Sequence, residues 1–206
     1  MQSKRIGRYS QDVRILKTTL SLALAVGASH LQAKDAQPGG EKADPEKEIA
    51  ALGGHLFRDP RSNKVVEVKL NESEKLSDAD LVQVAGFIAL TDLSLENTAV
   101  TGEGLAHLAK LTKLEWLNLW NTRVDDTGLA HLAGLRALQF LPVGRTRITD
   151  KGLAHLKDLP KLTYLGLRDT AVTDAGVAHL ATLPALQELN LRGTRVGDEC
   201  IPVLIR

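Results

Sequence analysis

The chain has 206 residues, of which 43% are hydrophobic and 25% charged, and its formal net charge at pH 7 is +1. This length supports one domain with a substantial core. The single cysteine, Cys200, excludes a disulfide scaffold and any metal site built from several cysteines. The near-neutral charge argues against a strongly basic nucleic-acid-binding protein, so we expect no nucleic-acid partner.

The N-terminal segment has the pattern of an export signal. Basic residues from Lys4 to Lys17 precede an apolar run over 18–28, which is too short for a membrane-spanning helix of about 20 residues. This order is typical of a secretory signal peptide. We predict a signal peptide over 1–33, cleaved after residue 28 or 33, and a secreted or periplasmic (cell-envelope) protein without a membrane span after its removal. An uncleaved amphipathic or anchoring helix is the alternative.

The next two segments predict a linker and a cap. Cleavage after residue 28 removes five basic residues and one acidic residue, which changes the formal net charge from +1 to −3. Residues 34–45 are rich in proline, glycine and charge, and we predict a flexible linker there. Residues 46–64 predict an N-terminal cap made of a short helix, which ends at Gly53, and a hairpin-like strand. Residues 65–206 form the remaining predicted domain.

From Leu90 onward the sequence repeats every 24 residues, and a degenerate earlier copy begins at Val65. Each copy contains L-x-L, with the period of a short strand, and G-L-x-x-L-x-x-L, with the period of a short helix. Neither element can bury its own apolar face, so the copies must stack, with a parallel sheet on one side and helices on the other. Pro142 interrupts one predicted strand and is expected to loosen the sheet locally, because it has no N–H.

Threonine recurs at two positions in the copies, and both positions predict structural roles. Thr98 and its counterparts follow each strand, where the hydroxyl can bond to backbone groups of the loop. Thr101 and Thr149 have the position of helix N-caps, and Asp150 supplies an acid in the first turn.

The blocks TRITDKGLAHL and TAVTDAGVAHL resemble the leucine-rich repeat family, in particular its 24-residue bacterial T-x-V-T-D-x-G-L type. They are also similar to the cysteine-containing repeat subtype, with threonine in place of cysteine. The resemblance implies an α/β fold: a right-handed solenoid (horseshoe arc) of about six repeats. Its parallel sheet would lie on the concave side and its short helices on the convex side. It also implies a surface that binds proteins or other ligands, usually the concave sheet.

Aromatic side chains are concentrated on the predicted concave face. In each strand x-L-x-L-x the x residues point away from the core. Trp116, Phe140 and Tyr164 occupy equivalent positions and should stack over about 10 Å, because parallel strands lie about 4.8 Å apart. An exposed aromatic patch rimmed by charge is typical of an interaction site, and Gly144 and Gly166 predict room for a ligand beside the rings. The predicted binding residues are Trp116, Trp120, Phe140, Tyr164, Arg168, Arg192, Asp92 and Glu96.

The sequence therefore predicts a module that binds a protein partner through its concave face, with Arg168 and Arg192 fixing the orientation of the partner. Three alternatives stay open: rings that only stabilise adjacent strands, a glycan-binding module on the same face, and a structural module associating through solenoid ends. The last would use the C-terminal edge strand around Leu189 and Leu191 for self-association. Loop arginines such as Arg145 form either a solvated edge or a surface that steers an acidic partner or an anionic glycan.

No residue pattern in the chain indicates catalysis, so we predict no enzyme, no cofactor and no metal site. His107 and its three counterparts recur once per predicted helix. On the outer side of a curved solenoid, stacked imidazoles lie too far apart to converge at about 2.0–2.1 Å on one ion. We interpret these histidines as polar surface residues.

Overall fold

The computed structural model describes residues 44–200 and residue 202, so the predicted signal peptide and nearly all of the predicted linker lie outside the described residues. Within this part, seven strands form one sheet in chain order. The first pair is antiparallel and each later pair is parallel. The strands are β1 His55–Arg58, β2 Val65–Lys69, β3 Asp92–Ser94, β4 Trp116–Asn118, β5 Phe140–Pro142, β6 Tyr164–Gly166 and β7 Glu188–Asn190.

Six short α-helices are found in the described residues, each of one or two turns. Turns of 3₁₀-helix extend three of them, over Asp78–Asp80, Ala106–Lys110 and His179–Thr182. No helix of this part of the chain combines the length and apolarity that crossing a bilayer requires. The α-helices are α1 Pro45–Ala51, α2 Leu81–Val84, α3 Gly102–Leu105, α4 Asp126–Ala130, α5 Asp150–Leu153 and α6 Asp174–Ala178.

A continuous aliphatic core lies between the sheet and the helices. Strand residues such as Leu117 and Leu141, and helix residues such as Leu129 and Leu153, have no exposed surface. From β3 onward each strand pairs with the strand 24 residues later, as in the Leu93–Leu117 register, whereas β2 pairs with β3 at a spacing of 25 residues, as in Val68–Leu93. The predicted α/β solenoid is therefore confirmed, and its six strands β2–β7 correspond to the predicted six repeats.

The recurring threonines make the hydrogen bonds that their positions predict. Each hydroxyl that follows a strand donates to the carbonyl oxygen three residues earlier, at 2.6–2.8 Å. These bonds satisfy polar atoms beside the core, where a polar atom without a hydrogen bond would destabilise the fold. The five residues are Thr98, Thr122, Thr146, Thr170 and Thr194.

Helix caps connect neighbouring repeats. The Thr149 side chain caps α5, as predicted. Its backbone N–H and hydroxyl also donate to the Asp126 carboxylate of the preceding repeat, at 2.7 and 2.6 Å. The same pair of bonds joins Thr173 to Asp150. Acids in the first turn therefore bind the next repeat as well as favouring the helix N-terminus, a link that the sequence pattern did not reveal.

Pro142 loosens the sheet, as predicted. Three residue pairs align β3 with β4 and β5 with β6, whereas the β4–β5 ladder is reduced to the pair Trp116–Phe140. Hydrogen bonds on either side of the gap persist, since the Leu119 N–H still donates to the Pro142 carbonyl at 2.9 Å. The defect is confined to the missing proline N–H.

The two ends of the sheet differ. At the N-terminal end the antiparallel β1 forms the edge, and Ile49 of α1 is fully buried in the core. At the other end, β7 pairs only with β6 among the described residues. Leu189 and Leu191 of this last repeat are partly buried against the core. Self-association through this edge stays a prediction, as do the domain boundaries.

Candidate functional site

The candidate site lies on the side of the sheet that points away from the leucine core, here called the sheet face. Side chains of a strand alternate between its two sides. Because Leu117 and Leu141 point into the core with no exposed surface, Trp116 and Phe140 point to the sheet face. The first residues of the successive strands form a row on this face: Asp92, Trp116, Phe140, Tyr164 and Glu188.

Phe140 and Tyr164 form the centre of the exposed apolar surface on the sheet face. Their ring centroids lie 6.4 Å apart at an interplanar angle of 29°. Phe140 is 43% exposed, and Tyr164 is half-buried. Trp116 is aligned with Phe140 in the strand register, but ring stacking among the described residues is found only for the Phe140–Tyr164 pair. The predicted three-ring stack is therefore a stacked pair with a tryptophan in the neighbouring repeat.

Trp120 is a buried residue of the sheet face and only 7% exposed. Its ring lies over Gly144, where a Cβ would come within 2.2 Å of the ring atom Cζ3. The space that Gly144 was expected to leave for a ligand is filled by Trp120, so that expectation was wrong. Gly166 is covered in the same way, because the Tyr164 hydroxyl lies 3.0 Å from where a Cβ would be. Both glycines make room for the chain's own rings.

Two arginines lie against Trp120. The guanidinium carbons of Arg145 and Arg168 are each 5.8 Å from its ring, within cation–π range. Both arginines approach the same carboxylate: Asp169 Oδ2 lies 3.2 Å from Arg145 Nε and 3.4 Å from Arg168 Nε. The indole Nε1 of Trp120 is buried without a hydrogen bond, whereas the buried Nε of Arg168, also without a hydrogen bond, has the Asp169 carboxylate as its ion-pair partner.

The predicted acidic residues lie at the other end of the sheet face and are engaged by neighbours. Asp92 accepts a 2.6 Å hydrogen bond from the Thr91 hydroxyl, and Glu96 accepts one of 3.0 Å from the Asn118 side chain. Arg192 is exposed in the last described repeat. On the sheet face, Asp92 and Glu96 thus lie on the N-terminal side of the rings and Arg168 and Arg192 on the C-terminal side. The exposed Glu188 also lies at the C-terminal end.

Sequence reasoning missed Phe57. This residue is 45% exposed, belongs to β1 and faces Glu67 of β2, which places it on the sheet face. Lys69 Nζ lies 4.7 Å from the Phe57 ring centroid and 2.7 Å from Glu67 Oε1. The alternation of polar and apolar residues in His55–Arg58 could have indicated a strand there. The residues of the sheet face were predicted only from the 24-residue copies, which do not include β1.

Features outside the sheet face offer less to a ligand. Cavities of about 310 and 350 Å³ lie at the N-terminal end, the first beside Arg58 and Phe87 and the second beside Leu52 and Ser73. The described residues contain no group of three or more His, Cys, Asp or Glu able to hold a metal ion, and the four helix histidines are exposed. Burial raises the pKa of the Cys200 thiol, which disfavours the nucleophilic thiolate.

Solved structures with the same architecture decide the fold. An internalin C2 from Listeria monocytogenes str. 4b F2365 is 20% identical with a TM-score of 0.51, and the match covers 75% of this chain and 84% of the internalin. The chain has a leucine-rich repeat fold. An internalin F from the same strain is 22% identical with a TM-score of 0.50. That match covers 73% of this chain and 48% of the internalin, so the leucine-rich repeat chain spans about half its length.

Comparisons of sequence alone find no match to this leucine-rich repeat chain. No protein-family model matches it, and no curated protein matches it. The structural likeness establishes the fold, and function has to be argued from the site itself.

Proposed function

We propose that this chain is an exported leucine-rich repeat module that holds a protein partner on the sheet face. The observation that carries the proposal is the stacked pair Phe140–Tyr164 on a solvent-facing sheet whose core side is filled by leucine. Aromatic side chains are enriched among the residues that dominate protein interfaces. An exposed apolar group with charge at its rim is the usual form of such a surface.

The exposed area of the rings determines how much free energy their burial would contribute to binding. Full burial of a large apolar side chain contributes about 1.5–3 kcal/mol, so the 43% of Phe140 that is exposed would contribute about 1 kcal/mol on contact with a partner. A stable complex therefore needs several such contacts. Trp116, Tyr164 and Phe57 on the same face supply them.

The charges of the sheet face would orient the partner. Asp92 and Glu96 lie on one side of the rings, and Arg168 and Arg192 lie on the other side. These four charges favour a partner segment whose charges over the rings have the reverse order, because charge complementarity steers encounter and suppresses wrong orientations. A segment bound in reverse would bring like charges together at these four residues.

A capture experiment tests the proposal. The purified chain, immobilised and exposed to cell-envelope extract, is compared with the double variant Phe140→Ser/Tyr164→Ser. The matched control is Val82→Ser/Ile88→Ser, which removes apolar groups that are 51% and 72% exposed but belong to the α2 region instead of the sheet. We expect a protein captured by parent and control and lost by the ring variant, all three having equal circular dichroism.

Further outcomes distinguish a protein partner on the sheet face from the alternatives. Equal capture by all three proteins would contradict the proposal, because the rings would then serve the sheet alone. Loss of capture after glycosidase treatment of the extract would favour the glycan alternative. Export is tested separately by N-terminal sequencing of the chain from its producing cell, where cleavage after residue 28 or 33 is expected.

A further inference from the structure

Rings and carboxylates lie side by side at the N-terminal end of the sheet face. The row that contains Asp92 and Trp116 extends onto β2 and β1, because Glu67 is aligned with Asp92 and Phe57 with Glu67. Two ring–carboxylate pairs are therefore cross-strand neighbours in this part of the row: Phe57 with Glu67, and Trp116 with Asp92. Adjacent strands lie about 4.8 Å apart, which brings each ring beside its carboxylate.

The first of these pairs holds a cation of the chain itself. Lys69 Nζ lies 4.7 Å from the Phe57 ring centroid and 2.7 Å from Glu67 Oε1. The face of the ring attracts the ammonium group, and the carboxylate accepts a charge-assisted hydrogen bond from it. A ring and a carboxylate on adjacent strands of this row are thus able to hold a cationic side chain between them.

The second pair holds no cation of the described residues. The Thr91 hydroxyl donates to Asp92 at 2.6 Å and fixes its carboxylate, but no basic residue of the described part forms an ion pair with Asp92 or lies over the Trp116 ring. Asp92 and Trp116 are both half-buried, so solvent screens a charge between them less than at the surface. Glu188, which is aligned with Tyr164 at the other end of the row, is fully exposed and offers a weaker pairing.

A buried hydroxyl beside this pair has no partner. Ser94 follows Asp92 by two residues, so its side chain lies on the same side of the sheet. It is 1% exposed, and its Oγ makes no hydrogen bond to the described residues. Its neighbours in register do not supply one, because the Lys69 ammonium is bound to a carboxylate and the Asn118 side chain is hydrogen-bonded through both its oxygen and its nitrogen. A buried polar group left unpaired is destabilising and calls for an explanation.

We infer that Asp92, Trp116 and Ser94, here called the cation subsite, receive an arginine side chain of the partner. This inference rests on the proposed function, since it names the chemistry of the partner segment that crosses the sheet face. A guanidinium group stacks on the indole ring and donates in its own plane to the Asp92 carboxylate. Its five N–H donors also leave one for the Ser94 oxygen.

The next ring of the row defines what lies beside that arginine. Phe140 is aligned with Trp116, so it lies two strands from Asp92, a distance of about 10 Å. Three residues of extended chain span the same distance. The partner segment therefore carries an apolar or aromatic side chain about three residues from its arginine.

The test uses the blocked peptide acetyl-Arg-Gly-Gly-Phe-amide, with citrulline in place of arginine in its neutral match. The ¹⁵N-labelled chain has two tryptophans, and Trp116→Phe identifies the Trp116 indole signal. We expect the arginine peptide to shift this signal saturably and to bind about tenfold more tightly than the citrulline peptide, the difference between a charge-assisted and a neutral hydrogen bond. Asp92→Asn should abolish this preference, whereas Glu188→Gln, which removes the same charge at the other end of the row, should preserve it. Ser94→Ala should weaken binding of the arginine peptide about fivefold, all variants having equal circular dichroism.

The outcomes separate this inference from the proposed function. Equal binding of both peptides, lost on Phe140→Ser, would overturn the cation subsite and leave the ring surface standing. Absence of a saturable Trp116 shift with the arginine peptide would also overturn the subsite, as would an arginine preference that Asp92→Asn and Glu188→Gln reduce equally. Arginine-selective binding that survives Phe140→Ser and disappears in Asp92→Asn would support the subsite while counting against the rings.

Discussion

At the residue scale, Gly144 decides where Trp120 lies. A side chain at position 144 would meet Cζ3 and Cε3 of the Trp120 ring at 2.2 and 2.6 Å, and the Arg168 carbonyl oxygen at 2.7 Å. The ring therefore rests against the backbone of the next repeat, where the two arginines reach it. Gly144, which the sequence predicted to leave room for a ligand, instead leaves room for the buried ring of Trp120.

Gly144→Ala tests this packing. Because the new methyl group meets both the ring and a backbone oxygen, we expect the free energy of unfolding to fall by about 1–3 kcal/mol, as for other overpacked sites. The displaced indole should also become more exposed, with red-shifted fluorescence. Urea unfolding and emission spectra of a Trp116→Phe background measure both effects. Gly134→Ala is the control, since nothing lies within 4 Å of its Cβ position, and an equal loss in both variants would contradict the account.

At the element scale, helix caps join one repeat to the next, and α4 is capped differently from its neighbours. Thr101, Thr149 and Thr173 cap their helices, whereas Asp125 caps α4. The preceding repeat has Gly102 where other repeats have a first-turn aspartate, and a Cβ there would lie 2.6 Å from Asp125 Oδ1. A carboxylate at both positions would bring like charges together, so the glycine accommodates the aspartate cap.

The Asp125 cap gives a pH-dependent contribution to stability. The Thr127 hydroxyl, which donates to Asp125 at 2.7 Å, and the Gly128 N–H lower the pKa of this carboxyl. A lowered folded-state pKa stabilises the protein above the unfolded pKa of about 3.9, and the contribution is lost as the pH falls through the folded value.

Asp125→Thr installs the cap of the other repeats without a titrating group. We expect it to lower the unfolding free energy by up to about 1 kcal/mol at pH 7, the usual range for caps, and by progressively less as the pH falls below 4. Urea unfolding at pH 7 and pH 3 measures the difference. The same difference at both pH values would show that the carboxylate charge is irrelevant to the cap.

The repeat pattern predicted the elements well, because one set of leucine and threonine positions recurs in phase. The hydroxyl bonds of Thr98 and its counterparts and the gap at Pro142 followed from local chemistry that each copy contains. The position of the Trp120 ring did not, because it depends on Gly144 in the next repeat and on a side-chain rotamer. Phe57 was missed because the antiparallel β1–β2 register, with its irregularity after Phe57, lies outside the 24-residue period.

At the scale of the whole molecule, the stacking of repeats brings side chains from successive strands together into one continuous surface. Identical backbone paths place Trp116, Phe140 and Tyr164 in one row, although 24 residues separate each from the next. The same stacking places Asp92 and Glu96 on one side of these rings and Arg168 and Arg192 on the other. A continuous face of this kind follows from the solenoid, whereas the identity of each residue on it is free to vary without harm to the core.

The most direct measurement is site-specific photocrosslinking in the producing cell. The photoreactive phenylalanine analogue p-benzoylphenylalanine replaces Phe140 in one variant and Ile88, which is 72% exposed away from the sheet face, in the other. The account predicts a discrete protein adduct from position 140 and none from position 88. No adduct from position 140, or the same adduct from both positions, would contradict a protein partner on the sheet face.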